Sequence, residues 1–200
     1  FLTEFLRRLE RLAASMLLRR VYATPRGNRY GELLKQLDNG DGLDAGALDL
    51  SPEEIAETKD RLSDRLYLVA PVRKYVLLRL DELLAKLPGV TYEHKLITVE
   101  HVLPQNPKAG SSWEADFSED ERTFWTHRLG NLVLLNRAKN SEAQNFDFTK
   151  KKANYFTSAH GTAVFALTTQ VLSQDSWTPD VVEERQSKLL DILHHVWKLV

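Results

Sequence analysis

Leu96-Ile97-Thr98-Val99-Glu100-His101-Val102-Leu103-Pro104 is a short stretch, rich in β-branched and apolar residues and closed by a proline. That composition predicts a strand over 96–103. Gly130-Asn131-Leu132-Val133-Leu134-Leu135 is a second apolar run introduced by glycine, and it predicts a second strand. The polar stretch 137–144 that follows is compatible with a helix. The order from 96 to 144 is therefore strand, long connection, strand, helix. Outward from this insert the chain is helical in pattern. Leu2, Phe5, Leu6, Leu9, Leu12, Ala13, Met16 and Leu17 recur at helical spacing and predict a helix over 2–20. Pro25 and Gly27 predict a break at 24–28, with a short helix over 30–37 and a Gly/Asp-rich loop at 39–46. Ser51-Pro52-Glu53-Glu54 reads as a helix start, with Ser51 as N-cap and Glu54 closing a capping box. Val72, Tyr75, Val76, Leu80, Leu83, Leu84 and Leu87 predict a further helix stopped by Pro88-Gly89, and helices are expected over 148–155, 162–172 and 179–199, the last with Thr178 as N-cap. The fold class expected is mainly α with a small β insert.

The chemistry concentrates where the two strands meet. Adjacent residues on a strand point to opposite faces, so Glu100 and His101 share a site only if the strand bends or ends there, as Pro104 and the loop after it allow. A carboxylate offers a hard oxygen to Mg²⁺ or Mn²⁺. An imidazole that stays off the metal takes a proton from water near neutral pH. Asn131 and Asn140 are spaced so that one sits at a strand entry and the other on the helix that follows. An Asn at a strand entry hydrogen-bonds nearby loop backbone, and one on the helix can offer its amide oxygen to a metal.

These residues bring the chain to a known pattern. Glu100-His101-Val102-Leu103-Pro104-Gln105, Leu129-Gly130-Asn131-Leu132 and Asn140 together resemble the HNH, or ββα-metal, nucleases. More narrowly, Val99 to Gln105, Trp113, His127 to Leu132, and Asn140 through Asn145-Phe146 to Lys150 and Tyr155 resemble the nuclease domain at the C-terminus of GmrSD-type modification-dependent restriction and phage-defence proteins. The resemblance implies a ββα-metal motif embedded in a helical domain. It implies His101 as general base, Glu100 and Asn140 as ligands of one Mg²⁺ or Mn²⁺ ion, and Asn131 as the residue orienting the loop that bears His101. The function implied is a divalent-metal-dependent DNA endonuclease whose elementary event is a nick, leaving a 5′-phosphate and a 3′-hydroxyl. Glu100 stands where such enzymes usually carry Asp. Asn136 and Lys139 stand where zinc-stapled relatives carry cysteine, so no structural zinc is expected. The division expected is a helical region over 1–90, its C-terminal part packing on the core, and a nuclease core with C-terminal helices over 91–200. The rival reading is a catalytically silent DNA-binding or protein-interaction helical module.

Charge and composition are consistent with a DNA substrate. The net charge is −1 over 200 residues, but phosphate attraction depends on the local patch. From 122 to 155 seven basic residues, Arg122, Arg128, Arg137, Lys139, Lys150, Lys151 and Lys152, stand against Glu142 and Asp147. Arg128, Arg137, Lys139 and Lys150 to Lys152 are expected to form one phosphate-facing surface, the alternative being a solvated helix face. No apolar run approaches the length of a membrane span, and the arginine-studded N-terminus is not a signal peptide. The absence of cysteine points to a cytoplasmic setting. The start at Phe1, with Met16 the only methionine, predicts a piece of a longer protein whose N-terminal sensor domain would be a partner. No Gly-rich phosphate loop is present. His127 is read as a phosphate contact or a backbone-satisfied histidine, Glu93-His94 is set aside because no Asn-bearing helix follows it, and His194, His195, Trp177 and Trp197 are read as structural.

Overall fold

The computed structural model describes residues 1–86, 96–136, 146–154, 156 and 165–199. The expected helix over 137–144, with Arg137, Lys139 and Asn140, lies outside them, as do Glu93-His94 and Pro88-Gly89. The chain divides into two compact units, Phe1–Leu62 with Leu193–Val200, and Ser63–Ile192.

In the first unit, α1 (Leu2–Leu18) buries Leu12, Ala14, Met16 and Leu18. Its buried Ser15 hydroxyl lies 2.7 Å from that of Thr58. The second helix, α2, runs Ala23–Asp38 and so begins seven residues before the expected start at 30. Pro25 falls in its first turn, where a missing N–H costs no intrahelical bond, so the proline does not break the helix. The 39–46 loop tightens into 3₁₀ turns at Gly42–Asp44 and Gly46–Leu48, which bury Ala47 and Leu48. The capping box expected at Ser51 is present at the start of α3 (Pro52–Ser63). Ser51 N donates to Glu54 Oε2 (3.0 Å) and Glu54 N to Ser51 Oγ (3.2 Å).

The second unit opens with a 3₁₀ turn, Leu66–Leu68, and continues through α4 (Ala70–Ala85), β1 (Thr98–His101), α5 (Ser112–Asp116), α6 (Glu119–Trp125), a 3₁₀ turn Leu129–Asn131, β2 (Leu132–Leu135), α7 (Phe148–Asn154), α8 (Ala166–Leu172) and α9 (Pro179–Val196), whose last residues, from Leu193, fall in the first unit. The long connection between the strands is thus partly helical. A local signal for this was present, because Ser118-Glu119-Asp120-Glu121 is itself a capping box. Ser118 N donates to Glu121 Oε2 (2.8 Å) and Glu121 N to Ser118 Oγ (3.3 Å).

The strands are shorter than the apolar runs that announce them. They pair antiparallel over four residues each, Thr98 opposite Leu135 and His101 opposite Leu132. An isolated two-stranded ribbon is marginal in water, and here helices hold it. Helices α4 and α8 pack on β2. Thr168 Oγ1 on α8 donates to Leu134 O (2.6 Å), and Asp81 on α4 accepts Leu167 N (2.7 Å). Around the ribbon, Val102, Leu103, Trp113, Phe117, Val133 and Trp177 form the centre of the core.

The turn before β2 is clamped by α9. The buried Arg185 donates from Nη1 to Gly130 O (2.6 Å) and Leu132 O (3.1 Å), and from Nη2 to Leu167 O (3.1 Å). Burial lowers its pKa to about 9, so it stays charged at neutral pH. Gln186 accepts Gly130 N. The approach is so close that a Cβ on residue 130 would lie 2.6 Å from Val182 O, so only glycine fits there.

Candidate functional site

The centre of the site is the end of β1. Glu100 and His101 are both buried, at 1% and 6% exposure. After His101 the strand ends, and its continuation is held by a side chain rather than a ladder. Val102 N donates to Asn131 O (3.0 Å) as the last backbone pairing. Beyond it, the Asn131 carboxamide substitutes for a strand residue: Leu103 N donates to its Oδ1 (2.7 Å) and its Nδ2 donates to Leu103 O (3.0 Å). Nδ2 also donates to Thr126 O (3.0 Å), and Trp177 Nε1 donates to Oδ1 (3.2 Å). All this happens at 0% exposure. Asn131 therefore sets where the chain turns immediately after His101.

His101 sits in an aromatic corner. Its ring centroid is 4.0 Å from that of Tyr67 and 5.4 Å from that of His127, and the Tyr67 and His127 rings stack at 5.6 Å. Arg73 lies over the Tyr67 ring, 4.3 Å from its centroid, and its Nη1 donates to Tyr67 O (2.8 Å). Gln105 Nε2 stands 3.2 Å from His101 Nδ1. An amide nitrogen only donates, so in this arrangement Nδ1 carries the lone pair. Burial, and then the charge of Arg65, lower the pKa of His127, which favours its neutral ring. No feature of spacing pointed to Tyr67 or Arg73, because both reach the site from the segment before and at the start of α4.

A buried lysine braces the end of β1. Lys151, on α7, is 1% exposed, and its Nζ donates to His101 O (3.1 Å) and Val102 O (2.7 Å). Burial pushes its pKa down to about 7, while the Glu100 carboxylate acts in the opposite direction. This corrects the expectation that Lys150, Lys151 and Lys152 face phosphate together. Consecutive helix residues point about 100° apart, and here they separate. Lys151 is inside and Lys152 donates to Gln174 O (2.7 Å). Lys150 alone is exposed, with its ammonium 3.8 Å from the Phe146 ring centroid. Arg128 is likewise committed internally. It donates to Ser63 O and to Phe124 O (3.0 Å), stacks on Phe124 at 3.8 Å, and lies 4.0 Å from Asp64. Lys151→Ala should therefore destabilise the fold by about 2 kcal/mol or more, the range for losing charge-assisted buried bonds. Lys150→Ala should stay within about 0.5 kcal/mol. Equal urea midpoints for the two variants would contradict this division.

Glu100 supplies a buried carboxylate, and Asn140 lies outside the described residues. Among the described residues, no three His, Asp or Glu side chains are grouped to hold an ion by themselves. A carboxylate is a hard oxygen donor, of the kind that Mg²⁺ and Mn²⁺ take.

A mainly helical chain with a short antiparallel ribbon, a buried Glu-His pair at its end and an Asn locking the exit defines a compact class of site. The chain belongs to the family of GmrSD restriction endonuclease C-terminal domains, whose model matches residues 53–192. No curated protein matches it. Membership in a restriction endonuclease family makes nuclease activity on DNA the general function to which this site is referred. No described helix is long and apolar enough to cross a membrane.

Proposed function

We propose that this chain is an HNH-type, divalent-metal-dependent DNA endonuclease domain that nicks one strand at a time. The observation that carries the reading is the Asn131 carboxamide bonded to both backbone groups of Leu103, which holds the turn after His101. In this reading His101 is the general base. Tyr67 fixes the plane of its ring from one side. Gln105 occupies Nδ1 in the absence of substrate, so the base is held in one orientation before DNA arrives. The attacking water gives its proton to this imidazole. Glu100 and Asn140 would hold a single Mg²⁺ or Mn²⁺, which when bound would neutralise charge developing on the phosphate and the leaving oxygen. Lys151 fixes the backbone of the residue carrying the base, through His101 O. Burial of Lys151 and Glu100 lowers the local dielectric, which strengthens every charge interaction at the reacting phosphate.

The same reading makes DNA the substrate, a cytoplasmic setting its place of action, and an N-terminal sensor part of a longer protein its partner. The test is a supercoiled-plasmid assay. Open circles should accumulate before linear DNA with Mg²⁺ or Mn²⁺, and EDTA should stop the reaction. DNA binding without cleavage under any divalent ion would replace this reading by the silent binding module.

A further inference from the structure

Beside the aromatic corner lies a cavity of about 350 Å³ that none of the roles above uses. Its walls include Arg65, Arg122, Gln105, Thr126, His127 and Glu119. The volume is at the lower end of the range for small-ligand pockets and suits a single nucleotide. Two guanidinium groups face one carboxylate, so the charge balance favours an anion.

The cavity is built into the same rigid corner as His101. Gln105 lines it and bonds His101 Nδ1 at 3.2 Å. His127 lines it with its ring 5.4 Å from that of His101. One short segment joins the parts: Leu66 is anchored in the core at 2% exposure, Tyr67 packs on His101, and Arg65 precedes them at the cavity wall. Tyr67 N donates to His127 O (3.0 Å), which ties that segment to the opposite wall.

The two arginines are not equivalent. Arg122 is already held by its bond to Phe117 O. Arg65 is exposed and its guanidinium makes no hydrogen bond or ion pair among the described residues, although it lies close enough to His127 and Arg128 to disfavour their charged forms. A guanidinium left among other cations raises a local positive potential that an anion relieves. His127 fits the same role. Its Nδ1 is buried without a hydrogen-bond partner among the described residues, so the neutral ring is best satisfied with its proton on Nε2, a donor for an anionic oxygen.

We infer that this cavity is a subsite for a backbone phosphate of the DNA strand next to the one being cut, with Arg65 as its principal cation and Arg122 and His127 as supporting donors. Gln105 links the subsite to the base: a strand seated in the cavity meets the amide that bonds His101 Nδ1. The inference rests on the nuclease reading and adds the contact that positions the strand. A fixed flanking phosphate holds the scissile one near His101, as remote binding contacts do in positioning-dependent catalysis.

The test uses the whole chain in EDTA, with a short fluorescein-labelled duplex and, separately, a thymidine dinucleotide. Arg65→Glu should weaken duplex binding by about fivefold or more, and Arg65→Ala should lower the slope of log affinity against log salt by about 0.9. Arg65→Lys should recover most of the affinity. The His127 ring proton resonance should move on addition of the dinucleotide to the wild type and stay fixed in Arg65→Glu. With metal present, the Arg65 variants should raise KM more than they lower kcat. Affinity within twofold of wild type for Arg65→Glu, or an unchanged His127 response, overturns the subsite while wild-type cleavage leaves the nuclease reading standing. A wild-type chain that neither binds nor cuts DNA overturns both.

Discussion

His101→Ala should lower plasmid nicking by about 10²–10⁴-fold, the contribution of a positioned general base, while duplex affinity in EDTA stays near wild type. The ring is buried against Tyr67 and His127, so the substitution leaves a cavity of imidazole shape. Added imidazole should then restore part of the rate, a response that a merely destabilised variant does not give. His101→Asn, closer in size and polarity, should be as inactive as the alanine variant and melt closer to wild type. Cleavage within a few-fold of wild type in either variant would remove His101 from the role of base.

Asn131→Ala carries the second large effect, and it acts through the fold. Removing the carboxamide leaves Leu103 N, Leu103 O, Thr126 O and Trp177 Nε1 short of a partner in the interior. A buried polar group so stranded costs about 1–3 kcal/mol. Even without full additivity the loss should reach about 3 kcal/mol, a large part of the about 5–15 kcal/mol available to a domain. Urea unfolding followed by tryptophan fluorescence should show the midpoint falling. Cleavage should fall with it and should not recover as Mn²⁺ is raised, because the defect is in the turn after His101. Asn140→Ala, at a proposed metal ligand, should by contrast recover in part at high Mn²⁺. Matching metal titrations for the two variants would mean that their roles are wrongly divided.

These expectations draw unequally on sequence and structure. The two strands, the capping box at Ser51 and the first helix were legible because their signals act over a few residues. The same is true of the capping box at Ser118, whose reading would have revealed α6 within the long connection. The early start of α2 was missed because Pro25 counts as a breaker only when its helical position is unknown. Glu100, His101 and Asn131 were picked out by residue type and spacing, and the fold does bring Asn131 to the loop after His101, across 28 positions of chain.

The fate of the cations was not legible. Lys150, Lys151 and Lys152 are identical in the sequence and different in the fold. Lys151 reaches His101 O from 50 residues away, and Arg185 reaches Gly130 O from 55. Whether a lysine meets water or a carbonyl depends on which helix face is turned inward by distant packing, and no local pattern encodes that. Tyr67 and Arg65 came into view for the same reason. By itself the sequence determined that a Glu-His pair would stand at the end of a short strand facing a second, Asn-led strand, since periodicity and turn chemistry are local. Only the tertiary structure decided which charges are buried to hold that strand and which remain free to meet an anion, because desolvation and hydrogen bonding are settled by neighbours far away in the chain.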